Sequence, residues 1–145
     1  MFDHSDQVTA PVKRKRMTNE DLRKVFSYRR HLKDNGRLAC EICGWDGDGI
    51  TTARGLSPVD IHHVVPRSCG GNSSPENLIA LCPNHHACAH ALYVCHKGKH
   101  YGPKTKALFI RDLVGAMTHP GGCDGWFKDS AREISIQVAR GYKHV

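Results

Sequence analysis

The sequence predicts an α+β fold, and three observations carry that expectation. A capped amphipathic segment precedes two short runs rich in β-branched and aliphatic residues. Two pairs of metal-ligand residues, Cys40 with Cys43 and Cys82 with His85, bracket those runs. A histidine-bearing segment with a helix-start signal follows the second run directly.

Residues 1–17 contain few apolar groups and end near Lys13-Arg14-Lys15-Arg16, the pattern of a basic flexible arm. Thr18 is a suitable N-cap with Asp21 at the N3 position, so a helix should begin there. Leu22, Val25, Phe26 and Leu32 recur at helical spacing and form its expected apolar stripe, Arg23, Arg29, Arg30 and Lys33 its basic face, and Asn35-Gly36 its end. Asp60 to Pro66 reads as a strand, Ser68 to Pro75 as a loop, and Leu78 to Leu81 as a second strand. Pro83 sits where a helix can start, with Asn84 to Tyr93 as its body. A further helix is expected over Lys106 to Met117. Thr118 to Gly122 should break it, and Ser130 to Arg140 is a helix or strand candidate.

The chain has 145 residues, one ordinary domain in size, with 21 Lys and Arg against 14 Asp and Glu for a net charge of +7. No apolar run approaches the roughly 20 residues that cross a bilayer, and the first thirty lack a secretory apolar core. A cytoplasmic protein with no membrane role is expected. The positive charge favours a polyanionic partner through counterion release. Seven cysteines and eleven histidines exceed what a core of this size uses, and in a reducing compartment they point to metal.

Cys40-x2-Cys43 and Cys82-x2-His85 can place four ligands on one tetrahedral zinc ion, although Cys88 lies close enough to compete with His85. His62 and His63 are neighbours on the first strand, so their rings should point to opposite faces and do different work. His86 and His90 are four residues apart on the predicted helix and share a face. One strand histidine can join them in a three-histidine metal site with open positions.

In this order, Cys40-x2-Cys43, Asp60-Ile-His62-His63-Val64-Val65-Pro66, Gly70-Gly71, Asn77-Leu-Ile-Ala-Leu81-Cys82 and His86-x3-His90 resemble the zinc-stapled HNH endonucleases of small bacterial and phage type. The resemblance spans Leu38 to Leu92 and implies a ββα-metal (His-Me finger) centre, stapled by structural zinc and flanked by helices. It implies that His63 is the general base and that Asn77 constrains the loop that orients it. His62, His86 and His90 would hold one catalytic divalent ion, either Mg²⁺, Mn²⁺, Ni²⁺ or Zn²⁺. Cys40, Cys43, Cys82 and His85 would hold the structural zinc, and Arg67 is a candidate phosphate contact. The implied activity is hydrolysis of DNA phosphodiester bonds, with double-stranded DNA as partner. Nothing in the sequence identifies a packaging or immunity partner.

The expected organisation is an arm at 1–17, a nuclease domain with its leading helix at 18–96, and an appendage at 97–145 packed on the nuclease core. The alternative is a zinc-stapled nucleic-acid-binding module without catalysis, for which an open histidine site has no use. A redox role for Cys40 and Cys43 leaves the histidines unexplained. Cys69, Cys88, Cys95 and Cys123 read as free thiols or small core residues, His96 and His100 as part of a solvated basic strip, and Trp45 and Trp126 as core anchors.

Overall fold

A computed structural model describes residues 17–51, 53, 55 and 57–130. Residues 1–16 of the basic arm and the segment after Ser130 therefore lie outside the described residues. Helix α1 runs over Asn19–Asp34, and its first turn carries the expected capping box. The Thr18 hydroxyl accepts from the Asp21 backbone N–H, and the Asp21 carboxylate accepts from the Thr18 backbone N–H. Gly36, at φ +65°, follows the C-cap Asn35.

Strand β1 (Asp60–His63) pairs antiparallel with β2 (Leu78–Leu81), with His63 opposite Leu78 and Asp60 opposite Leu81. Helix α2 (Pro83–Ala89) begins at the proline and continues into a 3₁₀ turn over His90–Leu92, so the expected ten-residue helix is an α-helix with a tightened last turn. These elements make the ββα unit, and the α+β expectation holds.

All four residues of β2 are buried, which a strand covered on both faces requires. Ile79 and Leu81 join the main core with Val64, Ala89, Leu92, Phe109, Leu113 and Ala116, while Ala80 joins a smaller cluster with Leu32 and Val59. The first cluster lies on the side of α2 and α3 (Lys106–Thr118), the second beneath the C-terminal end of α1. Alternation along one strand thus divides the molecule's apolar contacts in two.

Several expectations need correction. On α1 only Leu32 is buried, and Leu22 and Phe26 are 38% and 58% exposed. The helix packs through its last turns and is held at its start by polar contacts, so Leu22 and Phe26 face outward while Val25 is half-buried. His96 and His100 belong to a hairpin, β3 (Val94–His96) with β4 (Lys99–Tyr101), turned by Lys97 and Gly98 at positive φ. His100 is buried there, and its Nε2–H donates to the Pro103 carbonyl at 2.9 Å. The break after α3 is followed at once by α4 (Gly122–Asp129), whose Trp126 packs on the main core. The four remaining cysteines are paired, Cys69 with Cys95 and Cys88 with Cys123. The hairpin brings Cys95 to the turn after β1, and α4 brings Cys123 to α2. Among the described residues no helix is long and apolar enough to cross a membrane.

Candidate metal centre

Cys40, Cys43, Cys82 and His85 converge, with one ligand atom from each lying within 4.8 Å of all the others. The Cys43–Cys82 sulfurs are 3.9 Å apart, Cys40 Sγ is 3.8 Å from His85 Nδ1, and Cys82 Sγ is 3.1 Å from it. The edges of a tetrahedron with zinc bonds of 2.0–2.3 Å are roughly 3.5–3.8 Å, so the quartet has the size and chemistry of a closed zinc site. Local backbone explains the convergence. Cys40 and Gly44 close a tight turn through Gly44 N–H to Cys40 O at 2.8 Å, and Cys82 is the N-cap of α2, three residues before His85. Glu41 locks this turn to β2: its backbone N–H donates to the Ala80 carbonyl, and its carboxylate Oε2 accepts from the Ala80 N–H, each at 2.8 Å.

Burial raises the Cys40 thiol, but backbone N–H groups of Cys43, Cys82 and Ile42 outweigh it and bring the value below that of an ordinary thiol. Burial alone lowers His85. The Cys43 thiol moves the other way from Cys40: the Trp45 backbone hydrogen bond lowers it, but burial and the neighbouring Cys40 outweigh that and raise it. Zinc binds thiolate sulfur and neutral imidazole nitrogen, so metal binding would release thiol protons. Cys88, the competing fourth ligand, is turned away to Cys123.

The second constellation lies between β1, α2 and α3. The rings of His62 and His86 have centroids 5.1 Å apart, His86 and His90 are also 5.1 Å apart, and His62 and His90 are 5.7 Å apart. Three imidazoles bound tetrahedrally through nitrogen would have centroids about 5 Å apart, given metal–nitrogen bonds near 2.0–2.1 Å. The three centroid separations are close to that spacing, while among the described residues the group whose ligand atoms all lie within 4.8 Å of one another is the Cys40, Cys43, Cys82 and His85 quartet. His62 is 6% exposed and its Nε2 is buried without a hydrogen-bond partner, an arrangement that is costly unless a ligand completes it. Burial, and then the neighbouring His86, His90 and His63, push the His62 pKa down to about 3, so its lone pair is available. Phe109 of α3 lies against the His62 ring at 5.5 Å between centroids, and His86 Nδ1 lies 3.2 Å from Asp60 Oδ2. His90 is exposed and His86 half-buried, leaving the site open on that side.

His63 faces the other way. Its Nε2 is 3.0 Å from Ser73 Oγ, and the Ser73 hydroxyl donates to Asp21 Oδ1 at 2.8 Å. Arg67 donates to Asp21 Oδ2 at 2.9 Å. The hydrogen bonds from Ser73 and Thr18, with the Arg67 charge, hold the Asp21 carboxyl below its ordinary value. Burial lowers the His63 pKa, Arg67 adds to this, and Asp21 opposes it.

The Asn77 side chain hydrogen-bonds the loop and not the His63 ring. Its amide donates to the carbonyls of Val65 and Asn72 at 3.0 and 2.7 Å, and its oxygen accepts from Val65 N–H at 2.8 Å. These bonds close the loop that carries Ser73. The paired glycines serve the same loop: Gly70 adopts φ +90°, and a Cβ on Gly71 would run into the Val65 carbonyl.

The structure thus brings His62, His86 and His90 together, sets His63 on the opposite face of β1, and ties Arg67 to Asp21. Sequence reading did not single out Asp21, Ser73, Asp60 or Phe109 as site residues. Asp21 was visible only as a capping residue, and nothing in the sequence marks Phe109.

Residues 40–92 match the family described as HNH endonuclease. The type IV methyl-directed restriction enzyme EcoKMcrA of Escherichia coli (strain K12) is 30% identical over 99 residues, covering 66% of this chain. The chain spans about a third of that relative's length, 32%.

Proposed function

We propose that this chain, whose residues 40–92 match the HNH endonuclease family, is a member of it that hydrolyses DNA phosphodiester bonds with His63 as general base and one divalent ion at His62, His86 and His90. The observation that carries the reading is the division of labour across β1. One histidine, with a buried nitrogen that has no hydrogen-bond partner, packs its ring beside His86 of α2 and His90 of the turn after it, and its neighbour turns to a separate hydrogen-bonded partner.

A divalent ion bound there would draw charge from the scissile phosphate and stabilise the leaving 3′ oxygen. His62, His86 and His90 would hold it, with open positions on the exposed side. Neutral His63 accepts a proton from the attacking water, a role suited to an imidazole near neutral pH. Asn77 keeps the loop beside His63 closed. Arg67, anchored by Asp21, has five N–H donors and is proposed to use others on a phosphate oxygen. The Cys40, Cys43, Cys82 and His85 site is proposed to hold structural zinc, which supplies folding energy and no chemistry. The net charge of +7 supports a DNA partner. We assign the nuclease domain to 18–96 and treat 97–145 as an appendage that lends Phe109 to the site.

The test is cleavage of supercoiled plasmid by protein that retains one equivalent of zinc after mild chelation, with Mg²⁺, Mn²⁺, Ni²⁺ or Zn²⁺ then restored. Metal-dependent nicking or linearisation is expected. Tight DNA binding without cutting under every ion would assign a zinc-stapled binding module instead.

A further inference from the structure

The partner of the general base is a serine hydroxyl that is itself committed elsewhere. A hydroxyl has one proton to donate. The Ser73 proton goes to Asp21 Oδ1 at 2.8 Å, because a carboxylate can only accept. Ser73 Oγ must therefore act as acceptor towards His63 Nε2, 3.0 Å away, and the proton between them belongs to the ring. We infer that Asp21 and Ser73 are positioning residues that hold His63 in its Nε2–H tautomer, leaving the Nδ1 lone pair as the base.

The surroundings keep this chain of bonds one-directional. Asp21 Oδ2 accepts from Arg67 at 2.9 Å and from the Thr18 hydroxyl at 2.9 Å, so the carboxylate is fixed on both oxygens. Ser73 is 2% exposed, which shields it from water that could reverse its hydroxyl. Asn77 grips the carbonyl of Asn72, the residue before Ser73, and so fixes the serine's place in the loop. The connection spans 52 residues of sequence and makes the start of α1 part of the catalytic apparatus.

In the reaction, the water gives its proton to Nδ1 and its oxygen forms the new bond to phosphorus as the bond to the 3′ oxygen breaks. The ring becomes an imidazolium whose Nε2–H still points through Ser73 to a carboxylate, an arrangement that favours the charged ring. The proton then passes to bulk water. The leaving oxygen takes one from solvent.

This inference rests on the reading of His63 as the base, and its test separates the two. Protein labelled with ¹⁵N-histidine, holding its structural zinc, is examined by long-range ¹H–¹⁵N imidazole correlation at a pH where His63 is neutral, with His63→Ala to assign the signal. Ser73→Ala and Asp21→Asn are compared with wild type by melting temperature, ring spectrum and single-turnover plasmid cleavage. We expect a single Nε2–H tautomer in wild type and mixed tautomers in both variants. The cleavage rate should fall at least about tenfold in both; in Ser73→Ala the DNA concentration for half-maximal rate stays unchanged, since only the base is misaligned, whereas Asp21→Asn also loosens Arg67 and raises it. An Nδ1–H tautomer in wild type would overturn the inference, and so would full cleavage rate in a folded Ser73→Ala protein. A wild type that shows the Ser73-dependent Nε2–H tautomer but cuts no DNA would refute the nuclease reading and uphold the tautomer assignment.

Discussion

His86 Nδ1 and Asp60 Oδ2 lie 3.2 Å apart, joining the α2 helix to the first residue of β1. The carboxylate accepts, so the ring carries its proton on Nδ1 and keeps its Nε2 lone pair. Outer carboxylates of this kind orient a metal-binding histidine and raise its basicity. Asp60→Ala should weaken the catalytic ion about 10- to 100-fold, with structural zinc content unchanged. Calorimetric titration with Mn²⁺ or Ni²⁺ measures the first quantity and elemental analysis the second.

The zinc quartet makes a prediction about which neighbour completes it. His85→Ala should lose zinc and its cooperative thermal transition, and Cys88→Ala should retain a full equivalent, because only His85 reaches the three sulfurs. Zinc content of the purified variants decides between them.

The Cys88–Cys123 link closes 35 residues and ties α4 to the metal helix. Loop-closure entropy for that length gives an expected loss of roughly 2–4 kcal/mol in Cys123→Ala, read from denaturant midpoints. Thiol counting on denatured, metal-stripped protein prepared without reductant should find only Cys40, Cys43 and Cys82 reactive.

Tyr28 donates to Glu41 Oε2 at 2.6 Å and accepts from Lys106 Nζ at 2.8 Å, linking α1, the zinc turn and α3. Burial, followed by the Glu41 hydrogen bond and charge, raises the Tyr28 pKa well above its ordinary value. Its contribution is therefore complete below the unfolded value of about 10 and is lost as pH rises beyond it, since only the unfolded chain then releases the proton. Tyr28→Phe should cost about 1–2 kcal/mol at neutral pH and flatten the decline in melting temperature above pH 10.

Local chemistry made much of this architecture readable. Thr18 and Asp21 mark the start of α1, and strand alternation alone places His62 and His63 on opposite faces. What escaped the reading depended on partners distant in sequence. Ser73 looked like ordinary loop composition because its significance comes from Asp21. Helix α4 carries Gly122 and Gly125, poor helix formers, and is held by packing through Trp126 and the bond to Cys88. The Lys97-Gly98 turn was a hairpin signal obscured by surrounding charge. Phe26 followed the helical apolar period yet faces solvent, because α1 touches the core through its end.

The central claim is that His63 is the base, and single-turnover cleavage of supercoiled plasmid by wild type and His63→Ala tests it most directly. Both proteins should carry equal structural zinc, melt alike and bind DNA alike. The account predicts metal-dependent cutting by wild type and a loss of about 10²-fold or more in the variant. Equal rates in the two proteins would contradict it.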